Sequence, residues 1–200
     1  MILRVANDMF LQYGYKSVTM DDIARMAGVS KKTLYQFYAD KNALVEATVI
    51  SFVDEMKQQT EEDSRTSTDA VEEIFKALLF IDHTFRKINP VVVWDLQRFH
   101  PAVYRIFEHY KDGFMFGVVR DNLVRGIEQG LYRPELNVDI IARFRINSVM
   151  AGMSAQYTFP EQYDQKTVQR ELLELYLHGI VSPGGLELIA HYKEKFNHHI

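Results

Sequence analysis

Residues 18–44 read VTMDDIARMAGVSKKTLYQFYADKNAL, two short helical patterns folded around one glycine. Ile23, Ala24 and Ala27 mark the first helix; Leu34, Phe37 and Tyr38 mark the second. A helix-turn-helix needs a small residue where its helices cross and a turn residue that accepts positive φ. It also needs an apolar face that docks both helices on a third. Ala24 and Gly28 meet the first two needs, and Ile23, Ala27, Val29, Leu34 and Phe37 supply the docking face. The start signals agree independently. Thr19 with Asp22 three residues on has the spacing of a capping box. Ser30 is placed to cap a helix starting at Lys31, and Asp40 to cap the next.

What this arrangement leaves exposed on the second helix is Lys31, Lys32, Thr33, Tyr35 and Gln36. Free N–H groups and the helix dipole both favour an anion at such an N-terminus. The lysines and Thr33 can reach phosphate or base edges, Tyr35 can donate to phosphate, and Gln36 can read adenine in the major groove. Thr19 and Ser30 stand at the two helix starts, Lys41 lies beside a third, and Phe37 offers contact to sugar or a thymine methyl. These nine residues are the candidate DNA-binding set. The formal charge of −4 argues against a general polyanion binder. Yet residues 1–48 hold six basic against five acidic residues, with Lys31, Lys32 and Lys41 clustered, so contact with DNA has to be local and aimed.

Thr19, Ile23, Ala24, Ala27, Gly28, Val29, Ser30, Thr33, Leu34, Tyr35, Asp40, Lys41 and Leu44 make this segment resemble the N-terminal signature of the TetR family of bacterial transcriptional regulators. ANDMFLQYGYKSVT resembles that family's first helix and its following glycine, so the likeness covers about residues 5–46. Three departures stand out. Phe37-Tyr38 replace the usual His or Tyr followed by Phe, Asn42 replaces a frequent glutamate, and the sequence starts without the short basic arm ahead of the first helix, so the expectation is either a lower affinity or a few residues that precede Met1. The resemblance implies a ligand-responsive regulator, most simply a repressor. It would bind palindromic double-stranded operator DNA as a homodimer and be released or retuned by a partly apolar small-molecule effector. The competing class is a helical sensor or protein-interaction module of the same fold without DNA binding, which has no reason to keep Lys31, Lys32, Tyr35 and Lys41 exposed.

The rest of the chain reads helical, and the expected fold class is all-α. The expected domains are a helix-turn-helix domain over 1–48 and a ligand-binding and dimerisation domain over 49–200, joined by a long fourth helix that fades near 57–68. VVVWDLQRF is read as helix because no partner strands appear. Gly126 and Gly130, four apart, suggest close helix approach. The helices around 138–157 and 166–181 are apolar on more than one face, so each needs a second partner besides its own core. Ile141, Phe144, Val149, Met153, Val168, Leu172, Leu175, Tyr176 and Ile180 are therefore the expected dimer interface, a four-helix arrangement with two-fold symmetry. Large, adaptable side chains with a few polar anchors nominate a pocket: Trp94, Phe99, His100, Tyr104, Phe107, Tyr110, Phe114, Met150, Met153, Gln156 and Tyr157.

Other chemistry finds little support. Hydrophobic residues make up 47% of the 200, enough for a sizeable core, and the lack of cysteine removes disulfides and thiolate chemistry. No paired carboxylates, nucleophile elbow or phosphate loop points to an enzyme, and no cofactor is called for. Seven histidines are scattered, with His198-His199 in the tail, so no metal site is expected. With no apolar run of about eighteen residues and no signal-peptide pattern, a cytoplasmic protein away from membranes is expected.

Overall fold

The computed structural model describes residues 1–85, 88–153 and 163–196. Its elements are α1 (Ile2–Tyr13), α2 (Met20–Met26), α3 (Lys31–Phe37), α4 (Lys41–Thr66), α5 (Ala70–Phe85), α6 (Val91–Phe99) and α7 (Pro101–His109). A π-helical segment (Tyr110–Met115) follows, then α8 (Phe116–Glu128), α9 (Val138–Met153), α10 (Gln165–Ile180) and α11 (Pro183–Phe196). Among the described residues there is no strand, only the isolated bridge between Tyr132 and Val181. The fold is all-α. Among the same residues no helix is long and apolar enough to cross a membrane.

Two compact units emerge: residues 1–58 with 86–110, and 59–85 with 111–200. This division differs from the boundary expected at residue 48, because α6 and α7 pack with the helix-turn-helix. In that unit Phe10, Ile23, Leu34, Leu44, Val45 and Val49 are buried together with Val92 and Leu96 of α6. Polar groups of the α6 segment complete the end of α1. The Asn89 N–H donates to the Leu11 carbonyl at 2.7 Å, and its Nδ2 donates to the Gln12 carbonyl at 3.2 Å. These carbonyls fall in the last turn of α1, where the helix itself offers no donor. One residue on, Gly14 has φ 84° and ψ 155°, a conformation open essentially to glycine alone. The buried Asp95 carboxylate of α6 then accepts the Lys16 N–H at 2.8 Å.

The second unit closes around Val71, Phe75, Leu123, Tyr132, Leu173, Leu177 and Ile189. Tyr132 is the largest fully buried side chain; its hydroxyl donates to the Ala70 carbonyl at 2.9 Å. A Cβ at Gly126 would stand 2.1 Å from the Tyr132 ring, so this glycine makes room for an aromatic side chain rather than for a neighbouring helix. The expected fading of α4 is corrected: it runs through Thr66, supported by the Gln59–Asp63 and Arg65–Glu62 pairs along its surface. Asp69 caps α5, accepting the N–H groups of Val71 and Glu72 at 2.9 Å each.

Thr68 bonds the buried Glu72, which also pairs with Lys195 of α11 at 2.7 Å. Burial alone would raise this carboxyl, but the Lys195 and Thr68 hydrogen bonds outweigh it and hold the pKa at about 2. The ionised form is therefore favoured by folding. Its contribution is complete above the ordinary carboxyl range and is lost as pH falls from the ordinary value of 4.5 toward about 2. Acid unfolding followed by circular dichroism should show stability falling across that window, and Glu72→Gln should flatten the fall. An identical acid limb in both proteins would remove Glu72 from this role.

Candidate nucleic-acid interface

The turn between α2 and α3 is built as its residues require. Thr19 Oγ1 accepts the Asp22 N–H at 3.2 Å, while the Asp22 carboxylate accepts the Thr19 N–H at 3.1 Å. These hydrogen bonds from Thr19 hold the Asp22 carboxyl below its ordinary pKa. Gly28 supplies φ 65°. Ser30 Oγ accepts the Thr33 N–H at 3.0 Å, and Asp40 Oδ1 accepts the Ala43 N–H at 2.8 Å. With Leu34 fully buried, α3 presents Lys31, Lys32, Tyr35, Gln36 and Phe37 to solvent, with Thr33 half-buried at their centre.

Three placements refine the candidate set. Lys31 pairs with Asp21 at 2.7 Å across an exposed surface. Lys41 is half-buried, and its ammonium lies 3.4 Å from the Lys16 carbonyl, so it is presented less freely than Lys32. Phe37 is 68% exposed and docks nothing, which corrects its place in the apolar docking face. It is the last residue of α3, where the buried stripe led by Leu34 has ended.

Sequence reasoning missed the support behind this face. Asn42 Oδ1 accepts from His100 Nδ1 at 2.7 Å, within the same unit. Burial, reinforced by Lys41 and opposed by Asp95, lowers the His100 pKa. That bond accounts for Asn42 standing where a glutamate is frequent: the position faces a buried imidazole. The bond engages Nδ1 of His100, one of the expected pocket anchors. Asp95 carried a signal that went unread, a single carboxylate in the apolar helix VVVWDLQRF.

The remaining pocket residues fall in both units. Trp94 and Phe99 form an edge-to-face pair at 5.7 Å and are exposed on α6, with the Lys16 ammonium 5.2 Å from the Phe99 ring. Tyr104, Phe107 and Tyr110 form a row with ring separations of 6.2 and 6.4 Å. Phe114 and Met150 are half-buried in the second unit. Gln156, Tyr157 and the Met153 side chain lie outside the described residues. A cleft of about 360 Å³ in the second unit is lined instead by groups of α4, α5 and α8, Arg65, Glu73, Asn122 and Arg125 among them.

Of the expected interface, Val149, Val168, Tyr176 and Ile180 are spent inside the chain's own core, a correction to their assignment. Tyr176 and Ile180 touch the cluster around Tyr132, so a partner cannot reach them. Phe144 and Leu175 remain exposed at 47% and 65%, and Ile141 and Leu172 are half-buried. Ile140 and Leu186, not nominated from sequence, are large exposed apolar side chains as well.

Residues 2–48 match the profile described as bacterial regulatory proteins, tetR family. The chain is 27% identical to the uncharacterized HTH-type transcriptional regulator YhgD of Bacillus subtilis, over 88% of this chain and 93% of that one. It is 28% identical to the HTH-type transcriptional repressor KstR2 of Mycolicibacterium smegmatis, over 72% and 71% of the two chains. In fold it is similar to the transcriptional regulator FadR from Bacillus subtilis, solved in complex with stearoyl-CoA. That match has a TM-score of 0.70 at 18% identity, covering 90% of this chain and 97% of that one. With its caps and turn in place, the segment over residues 2–48 is a helix-turn-helix of the kind found in bacterial regulatory proteins of the tetR family, carried on an all-α frame.

Proposed function

We propose that this regulator is a ligand-responsive repressor that binds a palindromic operator as a homodimer. The observation that carries the DNA-reading part is the exposed face of α3, with Lys31, Lys32, Tyr35 and Gln36 outward from a capped N-terminus. Two such helices roughly 34–36 Å apart would meet successive major grooves on one side of the duplex. Support for self-association comes from Phe144 and Leu175, exposed apolar side chains on adjacent helices, where a monomer would favour polar ones. Support for ligand response is twofold. A fold relative holds stearoyl-CoA, and α6 is bonded directly to the reading head through Asn89, Asp95 and His100, so a shift of α6 has a route to α3.

Selection of bound sequences from a random duplex pool tests the whole reading. The expected product is an inverted repeat with half-sites about one helical turn apart. Leu175→Glu should reduce the chain to a monomer in sedimentation and abolish preference for the paired half-sites. Enrichment of no sequence would sink the DNA-reading role, and a single half-site recovered equally by both proteins would sink the dimer.

A further inference from the structure

Arg145 of α9 is buried to all but 6% of its surface, in the seam between α9 and α10. Its guanidinium carbon sits 5.0 Å from the centroid of the Tyr176 ring. Among the described residues no carboxylate pairs with it, and Nη1 is buried with no acceptor at all. Burial lowers its pKa, with the opposing effect of Tyr176 the smaller. A buried cation without a counter-charge is strongly unfavourable, so the seam is a half-built site awaiting an anion.

The neighbours define what would complete it. Ser148 and Gln169 are buried in the same seam, but both are occupied: the Ser148 hydroxyl donates to the Arg145 carbonyl at 2.8 Å, and Gln169 Nε2 donates to the Val149 carbonyl at 3.2 Å. Arg145 is therefore the cation on offer, and a single positive charge is balanced by a single negative one. Its planar fork matches a carboxylate in two parallel hydrogen bonds. Ile146 and Val149 are buried beside it on α9. One turn along α9, where Gln169 packs, a narrow cleft is lined by Leu78, Leu79 and Ile81 together with Asp82, Lys166, Gln169 and Arg170. The exposed Phe144 and Leu175 lie next in sequence to Arg145 and Tyr176 and point away from the seam, so a second copy on that face would not supply the acceptor.

We infer that Arg145 is the anchor of a binding site for an organic acid, its guanidinium taking a carboxylate and the apolar seam taking the body. The inference rests on the proposed ligand response only for its regulatory meaning, since binding is measured without DNA.

Calorimetry on the full chain, with octanoate and 4-phenylbutyrate set against octanol and 4-phenylbutanol, tests it. The acids are expected to bind one per chain and more than about tenfold tighter than the alcohols, the difference a charge-assisted hydrogen bond makes. Arg145→Met should erase that preference while melting no lower than the unmodified chain, because it removes an uncompensated charge and keeps apolar volume. A guanidinium kept only for stacking on Tyr176 would instead make the variant melt lower. Should Arg145→Met fail to fold, the NεH resonance of Arg145 in the unmodified chain decides. It should move with octanoate and stay with octanol. Equal binding of acid and alcohol, no binding of either acid, or a preference that survives Arg145→Met would overturn the inference. Loss of sequence-specific DNA binding in the unmodified chain would count against the regulator reading alone.

Discussion

Lys31→Ala combined with Lys32→Ala is expected to weaken operator binding about thirtyfold at roughly 0.15 M salt. Each lost phosphate contact removes about 0.9 from the slope of log affinity against log salt, so two contacts account for both the loss and a slope shallower by about 1.8. The structure supports treating both as phosphate ligands. Lys32 is exposed at the N-terminus of α3, where free N–H groups add to the attraction. Lys31 is held by Asp21, which raises its pKa through a hydrogen bond and its charge, so it stays cationic; the exposed pair is weak and yields to phosphate. Gln36→Ala is the contrast. It should alter the base preferred at one position and leave the salt slope unchanged. Fluorescence anisotropy over a salt series separates the cases, and a double variant with the unmodified slope would exclude these lysines from the phosphate contacts.

What was legible in the sequence was local. The Thr19–Asp22, Ser30–Thr33 and Asp40–Ala43 caps each span three residues. Gly28 lies between two of them, so the reading head could be assembled from spacing alone. The bonds that join α6 to that head span 79, 77 and 58 residues. No periodicity encodes such pairings, and their traces were a lone aspartate in an apolar helix and an asparagine off the family pattern.

Apolar count misled where a helix has two apolar faces. On α9 and α10 it could not tell Val149 and Tyr176, which fill the chain's own core, from Phe144 and Leu175, which face outward. The same blindness hid Arg145, because a charged residue within an apolar stripe reads as surface until its burial is known. Phe37 fails in the opposite sense. Its aromatic character predicts docking, but α3 ends beneath it.

Gly14→Ala should cost about 3 kcal/mol, the sum of two effects at one position. The first is conformational: a Cβ-bearing residue at φ 84° and ψ 155° stores strain on the order of 1–3 kcal/mol. The second is steric. The new Cβ would stand 2.7 Å from Asp95 Oδ2 and 2.8 Å from Val91 Cγ1, and overpacking a filled site costs about 1–3 kcal/mol. Neither neighbour yields easily. Asp95 is 2% exposed and its carboxylate is committed to the Lys16 N–H, so pushing it aside leaves a buried charge without its donor. Relief therefore comes by lifting α6 from the end of α1, which also frees the Leu11 and Gln12 carbonyls from Asn89. Adding Asp95→Ala removes the clash with Asp95 but neither the contact with Val91 nor the strain, so urea unfolding should show the pair losing less than the sum of the single losses. Hydrogen exchange supplies the local readout, with the Asn89 and Lys16 amides losing protection before those of α3. A cost below about 1 kcal/mol, with both amides still protected, would mean that α6 is not seated on this loop. The route from α6 to the reading head would then have to run through His100 and Asn42 alone.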